Sequence, residues 1–587
     1  MPESNVQVNA RTSVTALVCF SVAAPGTSTK GEKPMTPAQA KQMKQVCMQH
    51  ARGPLALAGV CCLLLGMQSS AQNRANVSVD LGNPVNVLTD TSLGLPASMS
   101  DSNSFNPASL PYLRVAGVTA LRYPGNHGVA DLYHWSTRTT THYKGADAGY
   151  FAPESNFGSF ARLVDKLGQA VIVVNYGANF DGAGGGEPAE AAAWVAYANG
   201  DSTSSKAIGK DSTGEDWHTV GYWANLRSQA PLATDDGLNF LRIEHPKPFG
   251  FRLWQVGDEV YNNGFYGGDH TGTPDLHGAA PTGPKDFGKL KNDPKLSPAS
   301  FAENLKAFAQ AMKSVDPSIE IGAAFTMPAS PDPSNHDWVP DWNRNVLKGA
   351  CADLDFVTFD WSQQLLLPPD WKTLDEAGLL SNLGYQQANV IGLLITSMRE
   401  DYKKFCPANH TPRFAFAPAG LATWMKVEHP VVKALWIAEF YAQLIETGAV
   451  NVNWNEMYGD SMLSPDRKKL GAAFYGLQML HTLAHNPGDR LLGVNSSTNM
   501  VGAHATFRRD GFIGLMLVNK DPKSPVAVKV TLKNGGVGAA GKRIDYGAEQ
   551  FNAGAAANVA PFSAAGNEFT VTVPPYTITD ILLPRQN

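Results

Sequence analysis

Between about residue 90 and residue 490, short apolar runs alternate with longer stretches whose apolar positions recur at helical spacing. The runs are Val118–Tyr123, Ala170–Asn175, Phe251–Val256, Ile319–Phe325, Leu354–Phe359, Arg413–Ala417 and Val450–Trp454, with a shorter one at Ser92–Leu95. In the second, Ala-Val-Ile-Val-Val, apolar residues stand at consecutive positions, as a strand requires when both its faces are buried. The helical stretches are Phe157–Leu167, Pro188–Asn199, Pro298–Val315, Gln387–Phe405, Val431–Thr447 and Lys468–Ala484. This alternation predicts an α/β fold with a parallel sheet wrapped by helices. Eight strands closing on themselves, a (β/α)8 TIM barrel, is the economical arrangement. An open doubly wound sheet is the alternative, but no Gly-rich phosphate-binding turn follows the first strand.

Past residue 490 the pattern changes. Phe512–Val518, Val526–Leu532 and Phe569–Val573 read as strands divided by Asn-, Gly- and Pro-containing turns, with no helical stretch between them. A C-terminal all-β sandwich follows, to which Asn76–Leu81 is expected to add a strand from the other end of the chain. The predicted organisation is an N-terminal extension over 1–71, a sandwich strand over 72–89, the barrel over 90–489 and the sandwich over 490–587. Two long polar excursions, 185–239 and 267–294, follow barrel strands and are expected on the active face.

Charge adds a contrast between the ends. Residues 1–71 carry six Lys/Arg against two Asp/Glu, whereas the remaining residues are acidic enough to bring the whole chain to −5. An acidic body argues against nucleic acid as a partner and suits a neutral oligo- or polysaccharide. The basic stretch Lys41, Lys44, Arg52 precedes the apolar run Leu55–Met67 and then Ser69-Ser70-Ala71, the layout of a signal peptide. Met43 would give such a peptide an ordinary length. The run is short for a membrane span, so no stable span is expected, and the chain is expected to be secreted or periplasmic. Beyond residue 71 the sequence holds two cysteines, Cys351 and Cys406, which either pair or stand as two buried thiols.

Glycosidic hydrolysis ordinarily uses two carboxyl groups flanking the scissile bond. Glu259 is the leading candidate for the general acid/base. It lies in Trp254-Gln255-Val256-Gly257-Asp258-Glu259-Val260-Tyr261, directly after an apolar strand, where a barrel gathers its catalytic groups. Asp258 beside it supplies a like charge, and Tyr261 offers an aromatic face to a sugar ring. A solvated loop acid is the plain alternative. Trp361 and Trp454 are candidate sugar platforms, with core packing expected of at least one. Asn175 is placed to bond a sugar hydroxyl or to satisfy backbone at its strand end. Arg122 is placed to brace a carboxylate or to form a structural ion pair. Glu439, in mid-helix, reads as packing or surface. Neither His127 nor His134 has partners at metal-ligand spacing, so no metal is expected.

Arg122-Tyr123-Pro124-Gly125 with Asp131-Leu132-Tyr133-His134-Trp135, Val174-Asn175-Tyr176-Gly177 with Glu187-Pro188-Ala189-Glu190-Ala191, and the Trp254–Glu259 run together resemble clan A glycoside hydrolases of the α-L-arabinofuranosidase type. The resemblance covers roughly residues 76 to 587. It implies a (β/α)8 barrel with a β-sandwich, no cofactor, retention of anomeric configuration, and α-L-arabinofuranosides or related plant and microbial glycans as substrates. It also implies that Glu259 is the acid/base. Three departures stand out. Asp258 replaces the family's Asn, which contacts the sugar 2-hydroxyl. Asp360 stands where the family has His at the end of strand six. Strand seven should end in the nucleophilic Glu, but Pro418, or less readily Ala417, falls there, and no Asp or Glu occurs between Tyr402 and Lys426. Asp360 and Glu456 are the carboxylates left to act as the second catalytic group. Their structural alternatives are a buried partner for Arg122 and a residue below the pocket rim. A glycan-binding protein without turnover is the competing reading, and a structural cell-surface protein the third.

Overall fold

The computed structural model describes residues 73–125, 129–141, 152, 154–267, 275–278, 290–326, 340–362, 375–386, 390–420, 428–454, 457–459 and 462–586. Side chains at 340, 360–362, 384–386 and 418–420 are outside that description, as are His127, Glu456 and the proposed signal segment.

The first element, β1 (Asn73–Val87), belongs to the C-terminal sheet. Next come β2 (Leu93–Pro96) and β3 (Ala120–Tyr123), the small hairpin β4–β5 (Tyr133–His134 and Thr139–Thr140), then β6 (Gln169–Val174), β7 (Leu253–Val256), β8 (Glu320–Phe325), β9 (Phe356–Ser362), β10 (Arg413–Gly420) and β11 (Ala449–Trp454). Apart from the hairpin, these eight strands close in the order β2-β3-β6-β7-β8-β9-β10-β11, each parallel to its neighbours. The closed barrel is the predicted one, and the open sheet is ruled out.

The consecutive apolar pattern of β6 has the expected cause. Ala170, Ile172 and Val174 point out to the helix layer, while Val171 joins Leu253, Phe356, Ala415 and Val450 in a separate cluster inside the barrel. Gly322 makes room for that cluster: a Cβ there would sit 2.2 Å from the Phe356 ring.

Outside lie α1 (Phe157–Asp165), α2 (Pro188–Asn199), α3 (Pro298–Val315), α4 (Gly392–Phe405), α5 (Val432–Glu446) and α6 (Ala472–Leu483), with further helices at Val220–Ser228, Pro340–Ala350 and Glu376–Gln386. α3 shows why these segments are helical. The Ser297 side chain accepts the Ser300 N–H, Pro298 fills the first turn, and Phe301, Ala302, Leu305, Phe308, Ala309 and Met312 repeat at three- and four-residue spacing to form the buried face. Cys351 and Cys406, at the starts of the segments leaving Pro340–Ala350 and α4, are joined as a disulfide with Cα atoms 5.2 Å apart. Among the described residues no helix is long and apolar enough to cross a membrane.

The C-terminal module comprises β12 (Arg490–Ser496), β13 (Val501–Phe507), β14 (Phe512–Asn519), β15 (Val526–Lys533), β16 (Gly536–Val537), β17 (Ala540–Gly547), β18 (Asn558–Ser563), β19 (Glu568–Val573) and β20 (Thr577–Gln586). With β1 they make one ten-stranded sheet that folds over its own core. β1 runs antiparallel to β12 and parallel to β15, with Val77 opposite both Ser496 and Val530. β14 and β20 are buried on both faces. Leu515, Leu517, Ile581 and Leu583 face the sheet's own core, while Met516, Val518 and Ile578 join the barrel's cluster.

This seam also carries charge. Glu439 on α5 is buried, and its carboxylate lies 2.6 Å from Lys520 Nζ. His504 Nδ1 on β13 lies 2.8 Å from Glu446 Oε1 at the end of α5. Glu439, expected as packing or surface, is thus a buried ion-pair partner. Mid-helix spacing places a residue on a face but does not reveal a lysine 81 residues away.

Candidate active site

The C-terminal ends of β3, β6 and β7 are bound together by carboxylates. β3 ends at Arg122 and Tyr123. Arg122 is buried, and its Nη2 lies 2.6 Å from Asp258 Oδ1 in the turn after β7. Of the two roles open to Arg122, the geometry gives it a carboxylate neighbour, and the partner is Asp258. The field Asp258 exerts on Glu259 is therefore that of an ion pair, not of a lone carboxylate. With one oxygen on the guanidinium, Asp258 is also engaged away from any sugar hydroxyl at that atom.

Asp131, quoted in the sequence motif but given no role there, is fully buried. Its Oδ1 accepts the Tyr176 N–H at 3.0 Å, and its Oδ2 accepts the Asp258 N–H at 2.8 Å. Burial first, then the Asp258 charge, push its carboxyl well above the usual carboxylate range, against the pull of those two amides. A single carboxyl from the segment after β3 thus holds the chain where it leaves β6 and where it leaves β7.

Glu259 follows directly. Five residues before it, from Trp254 to Asp258, are buried, whereas Glu259 is only partly covered. Its backbone is left-handed, φ 48° and ψ 32°, which is uncommon for a residue with a Cβ. Gly257 before it has φ 72°, and a Cβ there would meet the Val260 side chain at 2.4 Å, so glycine is needed for both conformation and space.

The other expected site residues fall in different places. Asn175 Oδ1 accepts the Ala178 N–H and its Nδ2 donates to the Ala178 carbonyl, which is the backbone-satisfying alternative. Tyr261 is buried in the main core, with 6 % of its surface exposed, so its ring lacks the open face a sugar platform needs. Trp454 packs beneath α5, its ring centroid 5.5 Å from that of Trp436, and it occupies the core role that the sequence reading reserved for at least one tryptophan. Asp360 and Trp361 lie in the C-terminal half of β9, with Trp361 in register with Ala419 of β10. Their side chains, and all of Glu456, fall outside the described residues.

Two further networks escaped the sequence reading. His134 is buried with Nδ1 3.1 Å from both oxygens of Glu190, its Nε2 is 2.7 Å from Thr141 Oγ1, and its ring stacks on Phe180. His277 Nδ1 is 2.9 Å from Asp275 Oδ1, and Asn263 Nδ2 donates to the other Asp275 oxygen. The His277 ring stacks against Tyr176, with centroids 4.4 Å apart. The His134–Glu190 pair spans 56 positions and no local spacing announces it, whereas Asp275 and His277 are two residues apart and their pairing is local. Among the described residues no group of His, Cys, Asp and Glu is arranged to hold a metal ion.

No protein-family model matches the chain, and no curated protein matches it by sequence. Solved structures do match. An arabinofuranosidase structure is similar at 15% identity and TM-score 0.58, covering 87% of this chain and 100% of that one. The family 51 α-L-arabinofuranosidase of Bifidobacterium longum shares 15% identity at TM-score 0.58, covering 86% of this chain and 99% of its own. A family 44 xyloglucanase of Paenibacillus polymyxa shares 13% identity at TM-score 0.53, covering 87% and 100%. At such identities the likeness concerns architecture: the chain has the fold of these glycoside hydrolases, a TIM barrel carrying a β-sheet domain.

Proposed function

We propose that this protein is a glycoside hydrolase acting on plant or microbial glycans in the manner of an α-L-arabinofuranosidase, with Glu259 as its general acid/base. The observation that carries this reading is the position of Glu259. It is a partly exposed residue at the C-terminal end of the fourth barrel strand, following a buried turn whose Asp258 amide is held by Asp131, which also holds the Tyr176 amide after β6. Catalytic groups on this fold come from such ends.

In the reaction, the Glu259 carboxyl gives its proton to the departing glycosidic oxygen while a second carboxylate stabilises or attacks the anomeric carbon. Asp360 and Glu456 are the candidates for that second group. A separation of about 5–5.5 Å from Glu259 would give retention, and about 6.5–9.5 Å would leave room for water and give inversion. Export of the chain is part of the proposal, supported by the basic-then-apolar layout before residue 71 and by the Cys351–Cys406 disulfide.

The test is turnover of aryl glycosides and of arabinose-, xylose-, glucuronic acid- and galactose-containing polymers by the purified chain beside Glu259→Gln. Loss of about 10²- to 10⁴-fold in kcat is expected. Equal rates in the two proteins would refute the assignment. One observation favours a second reading, glycan binding without turnover: β10 ends Ala417-Pro418-Ala419-Gly420, with no carboxylate. Glycan affinity by calorimetry with no hydrolysis would select it.

A further inference from the structure

A left-handed turn at a residue with a Cβ persists only where its surroundings hold it. At Gly257-Asp258-Glu259 those surroundings can be named. The Gly257 N–H donates to the Val174 carbonyl at 3.1 Å, fixing the end of β7 against β6. The next amide, Asp258 N–H, has no strand carbonyl to take; it donates to Asp131 Oδ2 at 2.8 Å. After the turn, Asn262 N–H donates back to the Glu259 carbonyl at 2.8 Å and starts a short 3-10 segment, Val260–Asn262. One side-chain acceptor therefore stands between the end of the strand and the left-handed residue. That acceptor is itself anchored. Its other oxygen holds Tyr176 N–H, and its own segment is closed by Leu132 N–H on the Val129 carbonyl and Thr141 N–H on the Leu132 carbonyl. The Asp258 side chain places its Oδ1 on Arg122.

We infer that Asp131 is the positioning residue for Glu259: by accepting the amide one residue before it and the amide at the end of β6, it fixes the turn from which the acid reaches the leaving group. The inference rests on the reading of Glu259 as general acid. Asp131 is fully buried behind the turn, away from where substrate and reacting atoms would lie. It acts through the backbone, and its loss should displace the acid while leaving most of the binding surface in place.

That displacement has a signature which general loss of structure lacks. A good leaving group such as dinitrophenolate departs without a proton, whereas a phenol or an alcohol needs one. Asp131→Ala is expected to lower kcat/KM about 100-fold on an aryl glycoside with a poor leaving group. If the reaction retains configuration, kcat/KM on the dinitrophenyl glycoside, which reports only departure of the leaving group, should change little. Asp131→Asn retains one acceptor in nearly the same volume, and should fall between wild type and Asp131→Ala. Glu259→Gln, run alongside, should show the same dependence on leaving group more severely. Equal losses of kcat/KM on both substrates in Asp131→Ala and Asp131→Asn would overturn the inference, as would wild-type kcat/KM on the poor leaving group while Glu259→Gln is impaired. An active Glu259→Gln removes the acid reading instead. Hydrogen exchange decides the positioning role without turnover. Peptides covering 171–178 and 253–262 should exchange faster in Asp131→Asn than in wild type, while peptides of β14 and β20 should not. Unchanged protection over 253–262 overturns the inference.

Discussion

Single carboxyl groups show how far local sequence and final environment diverge. Asp131 had no role in the sequence reading and Asp258 stood there as a like charge beside Glu259, yet both are buried, one on two amides and the other on Arg122. Their contacts span 45 to 136 positions, so no spacing rule could find them. The place of Glu259 just past a barrel strand was legible because strand ends follow from hydrophobic pattern. Asn175 and Trp454 took the backbone-satisfying and core-packing alternatives that the sequence already offered, whereas the burial of Tyr261 was not legible. Asp580 on β20 is the extreme case: fully buried, with neither oxygen hydrogen-bonded among the described residues. Burial, then the charge of Asp545, push its carboxyl well above the usual range, with Arg508 opposing. The folded chain thus holds that proton at pH values where the unfolded chain has lost it, and stability falls as pH rises above the ordinary carboxylate value of about 4. Asp580→Asn, neutral throughout, should be more stable than wild type at pH 7 by roughly 1–3 kcal/mol. The advantage should vanish near pH 4. Urea unfolding at the two pH values measures it.

At the scale of elements, helices and strands were legible to different degrees. Pro188–Asn199 and Pro298–Val315 match the structure end to end because a proline in the first turn and the loss of apolar spacing mark their limits. The eight barrel strands were legible from apolar runs. In the C-terminal sheet, β12, β13, β16, β17, β18 and β20 were not. β18 has mostly exposed side chains and contains Pro561, and β20 carries Asp580 and Pro584 among its apolar residues. Such strands gain their stability from neighbours that the local pattern does not record. The seam between α5 and β13–β14 was equally invisible, and it confers a pH dependence. Burial lowers the His504 imidazole, but Glu446, and behind it Glu439, raise it further than burial and Lys520 lower it, leaving it above the ordinary value. A raised histidine contributes stability that is complete below about pH 6.5 and is lost as pH rises through its folded value. The thermal midpoint should therefore fall between about pH 6 and pH 8, and His504→Gln should flatten that part of the profile. An unchanged slope in the variant would assign the dependence to other groups.

Across the whole molecule, the barrel and the sheet domain are joined by strands buried on both faces and by β1, which pairs with β12 on one side and β15 on the other. β1 was legible over Asn76–Leu81, where Val77 and Val79 alternate with polar residues, and it extends to Val87 past a register shift near Pro84. Its removal breaks two ladders and uncovers Val528, Val530 and Leu492 in the sheet's core. A chain lacking residues 73–87 should therefore lose cooperative unfolding of the C-terminal module and bind a hydrophobic dye, and dye binding equal to that of the full chain would refute this. The placement of β1 also has a consequence for biosynthesis. Val77 leaves the ribosome long before Ser496 and Val530, its opposite numbers. At roughly 5–20 residues per second the interval is on the order of 20–80 s, during which every barrel strand is made. For that time the segment Asn73-Arg-Ala-Asn-Val-Ser-Val-Asp80 has no docking partner, and its interleaved Arg74, Asn76, Ser78 and Asp80 guard it against pairing with other nascent chains.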